Sequence, residues 1–291
     1  MLLRRRIRNA FLCTLVVSAL GAAAICLYVG GKLVAPSKSD VGTIPAGMSG
    51  TSITLVTESG IKVRGWHIPS ADSTTTVILL HPIRGDRRSM LGRAAMLNRV
   101  GYSTLLVDLP SHSESEGEMI TAGWRERHAV SAAVKFIKKD DPAHRVAMVG
   151  WSLGGAAALF ASPLEVDAII PESVYSNVTE AVHNRVSMRV GWLHHVVAPC
   201  LTSQFYLRLG VAADDLSPVY YVAAVDCTLL VLAGDMDGHT MLAESKEMYA
   251  AAVEPKQLFV FEGAVHEDLY QFDPASYDEA VVSFLSTWLD R

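Results

Sequence analysis

Cysteine is scarce in this sequence, and the spacing of the few that occur excludes the common zinc sites. Cys13 and Cys26 lie in an apolar N-terminal stretch, whereas Cys200 and Cys227 lie much later in the chain. No two of them have C-x-x-C spacing, so we expect no cysteine-based metal site. From the sequence, a Cys200–Cys227 disulfide and two buried free thiols both remain open.

Several other signatures are absent as well. No G-x-G-x-x-G follows the first predicted strand, which argues against a nicotinamide cofactor. The adjacent pair His194-His195 lacks the H-x-x-x-H spacing and the glutamate companion of a zinc helix. The sequence contains no internal repeat or low-complexity tract. We therefore expect a folded globular protein with no cofactor and no metal ion.

Basic residues are sparse outside the N-terminus. The 291 residues carry a net charge of −5, yet residues 1–34 contain five basic and no acidic side chains, so residues 35–291 have a net charge of −10. A surface that binds nucleic acid is usually a basic patch or stripe. The sequence therefore predicts no nucleic-acid partner.

One long hydrophobic run lies near the N-terminus. Residues 10–31 contain no charge, and at ~1.5 Å per residue a helix of this length reaches across a ~30 Å hydrocarbon layer. Arginines at positions 4, 5, 6 and 8 predict that the N-terminus stays cytoplasmic and that the domain is extracytoplasmic. We expect a single-pass anchor, because the run is longer than a signal-peptide core; secretion after cleavage is the alternative.

The sequence divides into three parts. Residues 1–34 are a basic stub and membrane anchor, residues 35–50 are rich in Pro, Gly and Ser and predict a flexible linker, and residues 51–291 form one domain.

Within the domain, short apolar runs alternate with helical periodicity. Strands are predicted at 52–57, 62–68, 76–80, 103–107, 145–149, 168–170, 228–233 and 257–261, and helices at 89–100, 123–139, 153–161, 241–252 and 275–289. The first two strands form a hairpin, and the later alternation predicts an α/β fold with a mostly parallel, doubly wound sheet. The interval of about residues 172–225 is too long for a plain connection.

This interval predicts an inserted helical cap. Residues 177–190 and 199–209 have helical patterns, and Trp192 and Phe205 contribute apolar bulk. Such a cap covers a substrate pocket, whereas the alternative is a helix pair that only packs against the sheet.

The segment Gly150-Trp151-Ser152-Leu153-Gly154 matches G-x-S-x-G, the turn that projects a serine from a strand end into the start of a helix. The apolar strand at 145–149 precedes the motif and a helical run at 153–161 follows it. Because a serine hydroxyl is a weak nucleophile, Ser152 needs an adjacent base that is itself held by an acid. We predict Ser152 as a nucleophile.

The acid and the base are expected after the last two strands, in the order serine, acid, histidine. His266 follows the last strand and is our predicted base, with His239 as the weaker candidate. Asp235 and Asp237 both follow the preceding strand. We prefer Asp237 because it lies farther into the loop, where its side chain can reach an imidazole.

An oxyanion that forms during acyl transfer needs backbone N–H donors. The N–H of Leu153, directly after the nucleophile, is the first predicted donor. The second is expected in the loop after Leu80; since Pro82 has no N–H, we predict Ile83. The alternative for His81-Pro82 is a turn that merely ends the strand.

With these residues placed, the sequence resembles the α/β-hydrolase superfamily, in particular its serine-aminopeptidase-like and monoglyceride-lipase-like branch. The resemblance covers about residues 51–291. It rests on His81, Arg84-Gly85, Gly101-Tyr102, Asp108, Gly150-Trp151-Ser152-Leu153-Gly154-Gly155, Gly234-x-x-Asp237 and Gly263-x-x-His266-Glu267-Asp268-Leu269. It implies an α/β-hydrolase fold with an inserted helical cap, and it implies that Asp237 is the acid.

Three positions depart from the pattern of that family. His81-Pro82 replaces a usual His-Gly, the loop after Asp108 loses two glycines, and His128 stands where an acidic residue is frequent, with Glu126 two residues earlier. None of these positions belongs to the predicted triad.

The resemblance implies a serine hydrolase that cleaves a carboxylic ester or thioester through an acyl-enzyme on Ser152. The expected partner is a small-molecule or lipid-like acyl substrate, because the chain also contacts the membrane through residues 10–31. An amidase or peptidase of the same fold is one alternative, and a catalytically inactive, membrane-anchored binding scaffold is another.

Overall fold

The structure is a computed structural model that describes residues 2–289. Its centre is one sheet of eight strands in the order β1-β2-β4-β3-β5-β6-β7-β8. The strands are β1 Thr51–Val56, β2 Lys62–Ile68, β3 Thr75–Leu80, β4 Ser103–Val107, β5 Arg145–Trp151, β6 Ala168–Glu172, β7 Thr228–Gly234 and β8 Lys256–Phe261. The two pairings of β2, with β1 and with β4, are antiparallel and the other five are parallel, so the predicted hairpin and the mostly parallel sheet are confirmed.

The described residues form eleven α-helices, and those that pack on the sheet cover both of its faces. The eleven helices are α1 Leu2–Val34, α2 Leu91–Arg99, α3 Arg127–Lys138, α4 Leu153–Ala161, α5 Val178–Val190, α6 His194–Thr202, α7 Gln204–Leu209, α8 Pro218–Tyr221, α9 Leu242–Ala251, α10 Leu269–Phe272 and α11 Pro274–Leu289. Alternate residues of each central strand point to opposite faces. Ile78 and Leu80 of β3 therefore join the core under α3 and α4, while Val77 and Leu79 join the core under α2 and α11.

The predicted helix boundaries differ from the observed ones by more than one residue at three places. Residues 87–90 form a 3-10 turn, so α2 begins at Leu91 rather than at 89. Ala122 and Gly123 have positive φ angles, which delays α3 to Arg127. The predicted helix at 199–209 is two helices in the structure. The first, α6, begins five residues before Pro199 and ends before Ser203, and α7 follows it.

The segment between β6 and β7 is helical, as the sequence predicts. It contains α5 to α8, and its later part is anchored by Leu209, Val211, Leu216 and Val222, which are buried in the core that also holds α3 and α4. Because Val178 and Ala181 of α5 are buried in the same core, the segment is fixed to the rest of the domain at both of its ends.

Residues 35–50 contain no helix or strand, but they lie along the domain. The N–H of Ser37 donates to the carbonyl of Ser111 at 2.9 Å, and the N–H of Ser113 donates back to Ser37 at 2.7 Å. The hydroxyl of Ser39 donates to Asp86 at 3.1 Å, and Val41 is buried. These contacts hold the segment against the domain, where its composition predicted a flexible linker.

The cysteine pairing differs from the one considered from the sequence. Cys200 lies on α6 and pairs with Cys26 of α1, with the two Cα atoms 6.7 Å apart. Cys227 is a free thiol, and burial raises its pKa to about 12. Both alternatives considered from the sequence are therefore wrong: Cys200 is neither bonded to Cys227 nor a free thiol, since α1 packs against α6 and places Cys26 next to it.

Candidate active site

The G-x-S-x-G segment forms a sharp turn between β5 and α4. Ser152 has φ 50° and ψ −107°, a conformation that is unfavourable for a residue with a Cβ. Any Cβ on Gly154 would collide with the carbonyl of Leu80, and one on Gly150 would collide with the backbone at Gly155. The glycines therefore let the strand and the helix approach closely enough to hold the strained serine.

The turn buries Ser152 but leaves its hydroxyl unengaged. The N–H of Ser152 donates to the carbonyl of Glu172 at 2.8 Å, which ties the turn to the end of β6. Within residues 2–289, the Ser152 hydroxyl makes no hydrogen bond, so it is not bonded to His266 in this state. Hydrogen bonds between a catalytic nucleophile and its base are often long before substrate binds.

Asp237 and His266 form a pair at the same edge of the sheet. His266 Nδ1 lies 2.7 Å from Asp237 Oδ2, which also accepts the hydroxyl of Thr240 at 2.6 Å. The other carboxylate oxygen accepts the N–H groups of His239 and Thr240 at 2.7 and 2.9 Å. Every contact supplies a donor, so the arrangement requires an ionised carboxylate and a proton on His266 Nδ1.

The electrostatics of the pair agree with its geometry. Burial acts to raise the pKa of Asp237, but the hydrogen bond and charge of His266 and the donors of Thr240 outweigh burial and hold this pKa below its ordinary value. Asp237 stays ionised near neutral pH. His266 Nε2 is then the nitrogen left free to take a proton.

The two weaker candidates occupy supporting positions. Asp235 accepts the N–H of Gly263 at 2.7 Å, so it joins the loops after β7 and β8 and does not contact His266. The ring of His239 lies 4.9 Å from that of His266. Burial, together with the charge of Arg185 and of His266, lowers the pKa of His239, which therefore stands neutral beside the pair.

The predicted oxyanion donors lie at the ends of neighbouring strands β5 and β3. Leu153 is the first residue of α4, so its N–H has no partner within that helix. Ile83 lies in the exposed loop after β3, and its N–H makes no hydrogen bond to another described residue. Both groups remain predicted donors.

His81 shapes the loop that carries Ile83. Its Nδ1 lies 2.8 Å from the Pro82 carbonyl, and its Nε2 accepts the N–H of Leu109 at 3.0 Å, which fixes the proton on Nδ1. Burial, and then the neighbouring His112, lower the pKa of His81 to about 3. Two interpretations of His81-Pro82 were open from the sequence, and the neutral, fully bonded His81 is a structural link between the loops after β3 and β4.

A buried ion network lies beneath the site and was missed from the sequence. Arg93 Nη2 lies 2.8 Å from Asp268 and also contacts Glu172, and Arg93 Nε donates to the hydroxyl of Tyr277 at 2.9 Å. Glu172 carries the carbonyl that binds Ser152, and Asp268 is two residues from His266. One guanidinium thus connects both halves of the site. The available signal was an arginine among the apolar residues of α2.

No group of three or more His, Cys, Asp or Glu side chains within residues 2–289 is arranged to hold a metal ion.

Comparison with known proteins finds hydrolases that are similar to this chain in sequence or in fold. Residues 57–198 match the model of the S15 family of X-Pro dipeptidyl-peptidases, a span that includes Ser152 but ends before Asp237 and His266. The esterase Pf2001 from Pyrococcus furiosus is similar in structure, with a TM-score of 0.74 and 22% identity, over 88% of this chain and 98% of that chain. The chain has the α/β-hydrolase fold.

Other proteins are similar to this chain in structure or in sequence. An esterase from Exiguobacterium antarcticum has a TM-score of 0.62 and 14% identity, over 81% of this chain and 100% of that one. Among sequence relatives, the uncharacterized protein Rv2307c of Mycobacterium tuberculosis is 28% identical over 86% of this chain and 83% of its own length. The uncharacterized protein YfhR of Salmonella typhi is 23% identical over 98% of this chain and 97% of its own length. The expected superfamily is confirmed, and the narrower branch stays a prediction.

Proposed function

We propose that the chain is a serine hydrolase that cleaves carboxylic esters through Ser152, His266 and Asp237. The observation that carries this proposal is the Asp237–His266 pair, which lies at the strand edge where the strained turn presents Ser152. The Ser152 oxygen attacks the carbonyl carbon while His266 Nε2 takes its proton. His266 then returns the proton to the leaving alcohol, and an acyl-enzyme remains.

Water completes the cycle. His266 takes a proton from the water molecule, the resulting hydroxide attacks the acyl-enzyme, and the proton returns to Ser152 as the acid leaves. Asp237 holds the imidazole in the required tautomer and stabilises its cationic form. The N–H groups of Leu153 and Ile83 are the donors that we assign to the tetrahedral oxyanion.

Esters are the preferred substrate class because the similar solved structures include esterases from three organisms. The S15 match supports peptide hydrolysis as the second candidate, and thioesters use the same chemistry. A binding scaffold without catalysis is less favoured, since the serine, the acid and the base are all present.

A matched pair of leaving groups separates the two candidates. The purified full chain in detergent is given p-nitrophenyl esters of short and medium acyl chains, and X-Pro p-nitroanilides. We expect kcat/KM to be at least about 100-fold higher for the best ester than for the best X-Pro anilide. Preferential cleavage of the X-Pro anilide would replace the esterase assignment by the peptidase one.

We also propose that α1 anchors the protein as a single-pass membrane helix, with the hydrolase domain of residues 51–291 outside the cytoplasm. The described residues contain one helix that is long and apolar enough to cross a bilayer, and basic residues lie at its N-terminal end. A C-terminal alkaline phosphatase fusion in a bacterial host tests the orientation: an active fusion is expected, and an inactive one would contradict it.

A further inference from the structure

The inserted cap contacts the part of α1 that we assign to the membrane. Cys200 of α6 pairs with Cys26, and Gln204 of α7 packs on Gly30, where any Cβ would overlap its side chain. Arg208 donates to the carbonyl of Leu27 at 2.6 Å. The cap is therefore fixed to the last turns of α1.

These contacts also give the direction of the cap. Cys26 meets Cys200 and Gly30 meets Gln204, so the chain of α6 and α7 runs in the same sense as α1. Cys26 lies five residues before the end of the uncharged run of residues 10–31, about 7 Å along the helix axis. The N-terminal end of α6 consequently points back toward the bilayer that α1 spans.

Exposed apolar side chains are concentrated at that end. The turn between α5 and α6, residues 188–196, is called here the cap tip, and it exposes Met188, Val190, Trp192, Leu193 and Val196. Trp192 is 76% and Val196 is 69% exposed. An apolar group of this kind, next to a membrane helix, has the composition of an interfacial membrane contact.

The charge of the cap points to the same partner. The 33 residues between Glu180 and Asp214 contain no acidic side chain, although the domain as a whole is acidic. Of its three arginines, Arg189 is exposed, whereas Arg185 donates to the carbonyl of His239 and Arg208 donates to the carbonyl of Leu27. Acid-free, basic segments beside a membrane helix are attracted to anionic lipid headgroups.

We propose that the cap tip, residues 188–196, inserts into the lipid bilayer that α1 spans. This inference rests on the proposed membrane anchoring, and it is independent of the proposed catalytic activity. The apolar side chains enter the boundary between headgroups and acyl chains, and Arg189 contacts lipid phosphates. The surface that binds the bilayer is part of the wall of the active site.

Contacts from α5 show that the cap tip lies close to the loop that holds Asp237. Met188 lies against Gly238, next to Asp237, and Asn184 donates to the carbonyl of His239 at 3.3 Å. The same helix therefore carries the cap tip and contacts the loop that holds the acid. Acyl substrates that partition into the bilayer would meet the site at this edge.

Tryptophan fluorescence gives a direct test, because the sequence has five tryptophans and α1 contains none. Trp66 is buried, Trp124, Trp151 and Trp288 are partly buried in the domain, and Trp192 alone among them is exposed on the cap. The full chain, carrying Ser152→Ala so that lipid is not consumed, is reconstituted in vesicles of phosphatidylcholine and phosphatidylglycerol. A parallel preparation contains lipid with brominated acyl chains.

We expect brominated lipid to quench part of the emission, Trp192→Phe to abolish this quenching, and the matched control Trp288→Phe to retain it. Equal quenching in the Ser152→Ala chain with and without Trp192→Phe, or no quenching at all, would overturn the proposal. A blue-shifted Trp192 emission without quenching would show that protein, such as a second copy of this chain, covers the tip. Extraction of the chain by alkaline carbonate would remove the anchor on which the proposal rests and would also overturn it.

Discussion

Asp237 Oδ2 lies 2.7 Å from His266 Nδ1, and the three other hydrogen bonds to this carboxylate come from Thr240 and His239. The acid is therefore locked by its own loop before it orients the imidazole. This relationship makes the roles of the two aspartates after β7 experimentally separable.

Asp237→Asn is expected to reduce kcat for ester hydrolysis by about 10³- to 10⁴-fold, because the amide favours the wrong imidazole tautomer and cannot stabilise its cation. The matched control is Asp235→Asn, which changes only an acceptor for the N–H of Gly263. We expect it to retain kcat within about tenfold. Steady-state kinetics on the best p-nitrophenyl ester measure both. A larger loss in Asp235→Asn than in Asp237→Asn would reverse the assignment.

Arg93→Met is expected to lower the free energy of unfolding by about 3–5 kcal/mol, because it leaves the carboxylates of Glu172 and Asp268 without their buried partner. Burial acts to lower the pKa of Arg93, but its acidic neighbours raise it, so the guanidinium is charged in the fold. Arg99→Met is the control: its ion pair with Asp278 is exposed and should contribute less than about 1 kcal/mol.

Denaturant titration of the full chain in detergent measures the free energy of unfolding of the two Arg variants. Their kcat for the best p-nitrophenyl ester is measured in parallel. If Arg93→Met were as stable as Arg99→Met, the network would not connect the two halves of the site as described.

The raised pKa of Asp108 predicts that the free energy of unfolding depends on pH. Burial raises this pKa from 3.8 to about 6, although Arg87 opposes this shift. Because the folded state then binds a proton more tightly than the unfolded state, the contribution of Asp108 is most favourable below about pH 4 and is lost as the pH rises through about 6. The loss is about 3 kcal/mol.

Unfolding free energies at pH 4 and pH 7 check this linkage as a difference between the unsubstituted chain and Asp108→Asn. The stability of the unsubstituted chain relative to the variant should fall by about 2 to 2.5 kcal/mol between the two pH values, because the unfolded carboxyl is already partly ionised at pH 4. A relative stability that does not change with pH would show that the carboxyl has an ordinary pKa in the fold.

Sequence patterns predicted the fold and the strand edge where the site lies. Strand runs such as residues 103–107 were located correctly, because parallel strands buried on both faces are continuously apolar. The turn at Ser152 and the order of Asp237 and His266 were local signals. The choice of Asp237 over Asp235 as the partner of His266 agrees with the structure, although the catalytic roles stay predictions.

Features that depend on distant packing could not be predicted. The pairing of Cys26 with Cys200 requires α1 to lie on the cap, and these residues are separated by 174 positions. Arg93 was overlooked because its partners come from β6, the His266 loop and α11. The composition of residues 35–50 predicts a flexible linker. In the structure, hydrogen bonds to loops far along the chain hold this segment against the domain.

The central claim is that Ser152 is an activated nucleophile. The most direct test labels the purified full chain with a fluorophosphonate probe and compares it with Ser152→Ala and with His266→Ala, while the ester series is followed in parallel. The account predicts covalent labelling and ester turnover in the unsubstituted chain, loss of both in Ser152→Ala, and slowed labelling in His266→Ala. A folded chain that neither labels nor hydrolyses any ester, or a Ser152→Ala variant that labels normally, would contradict it.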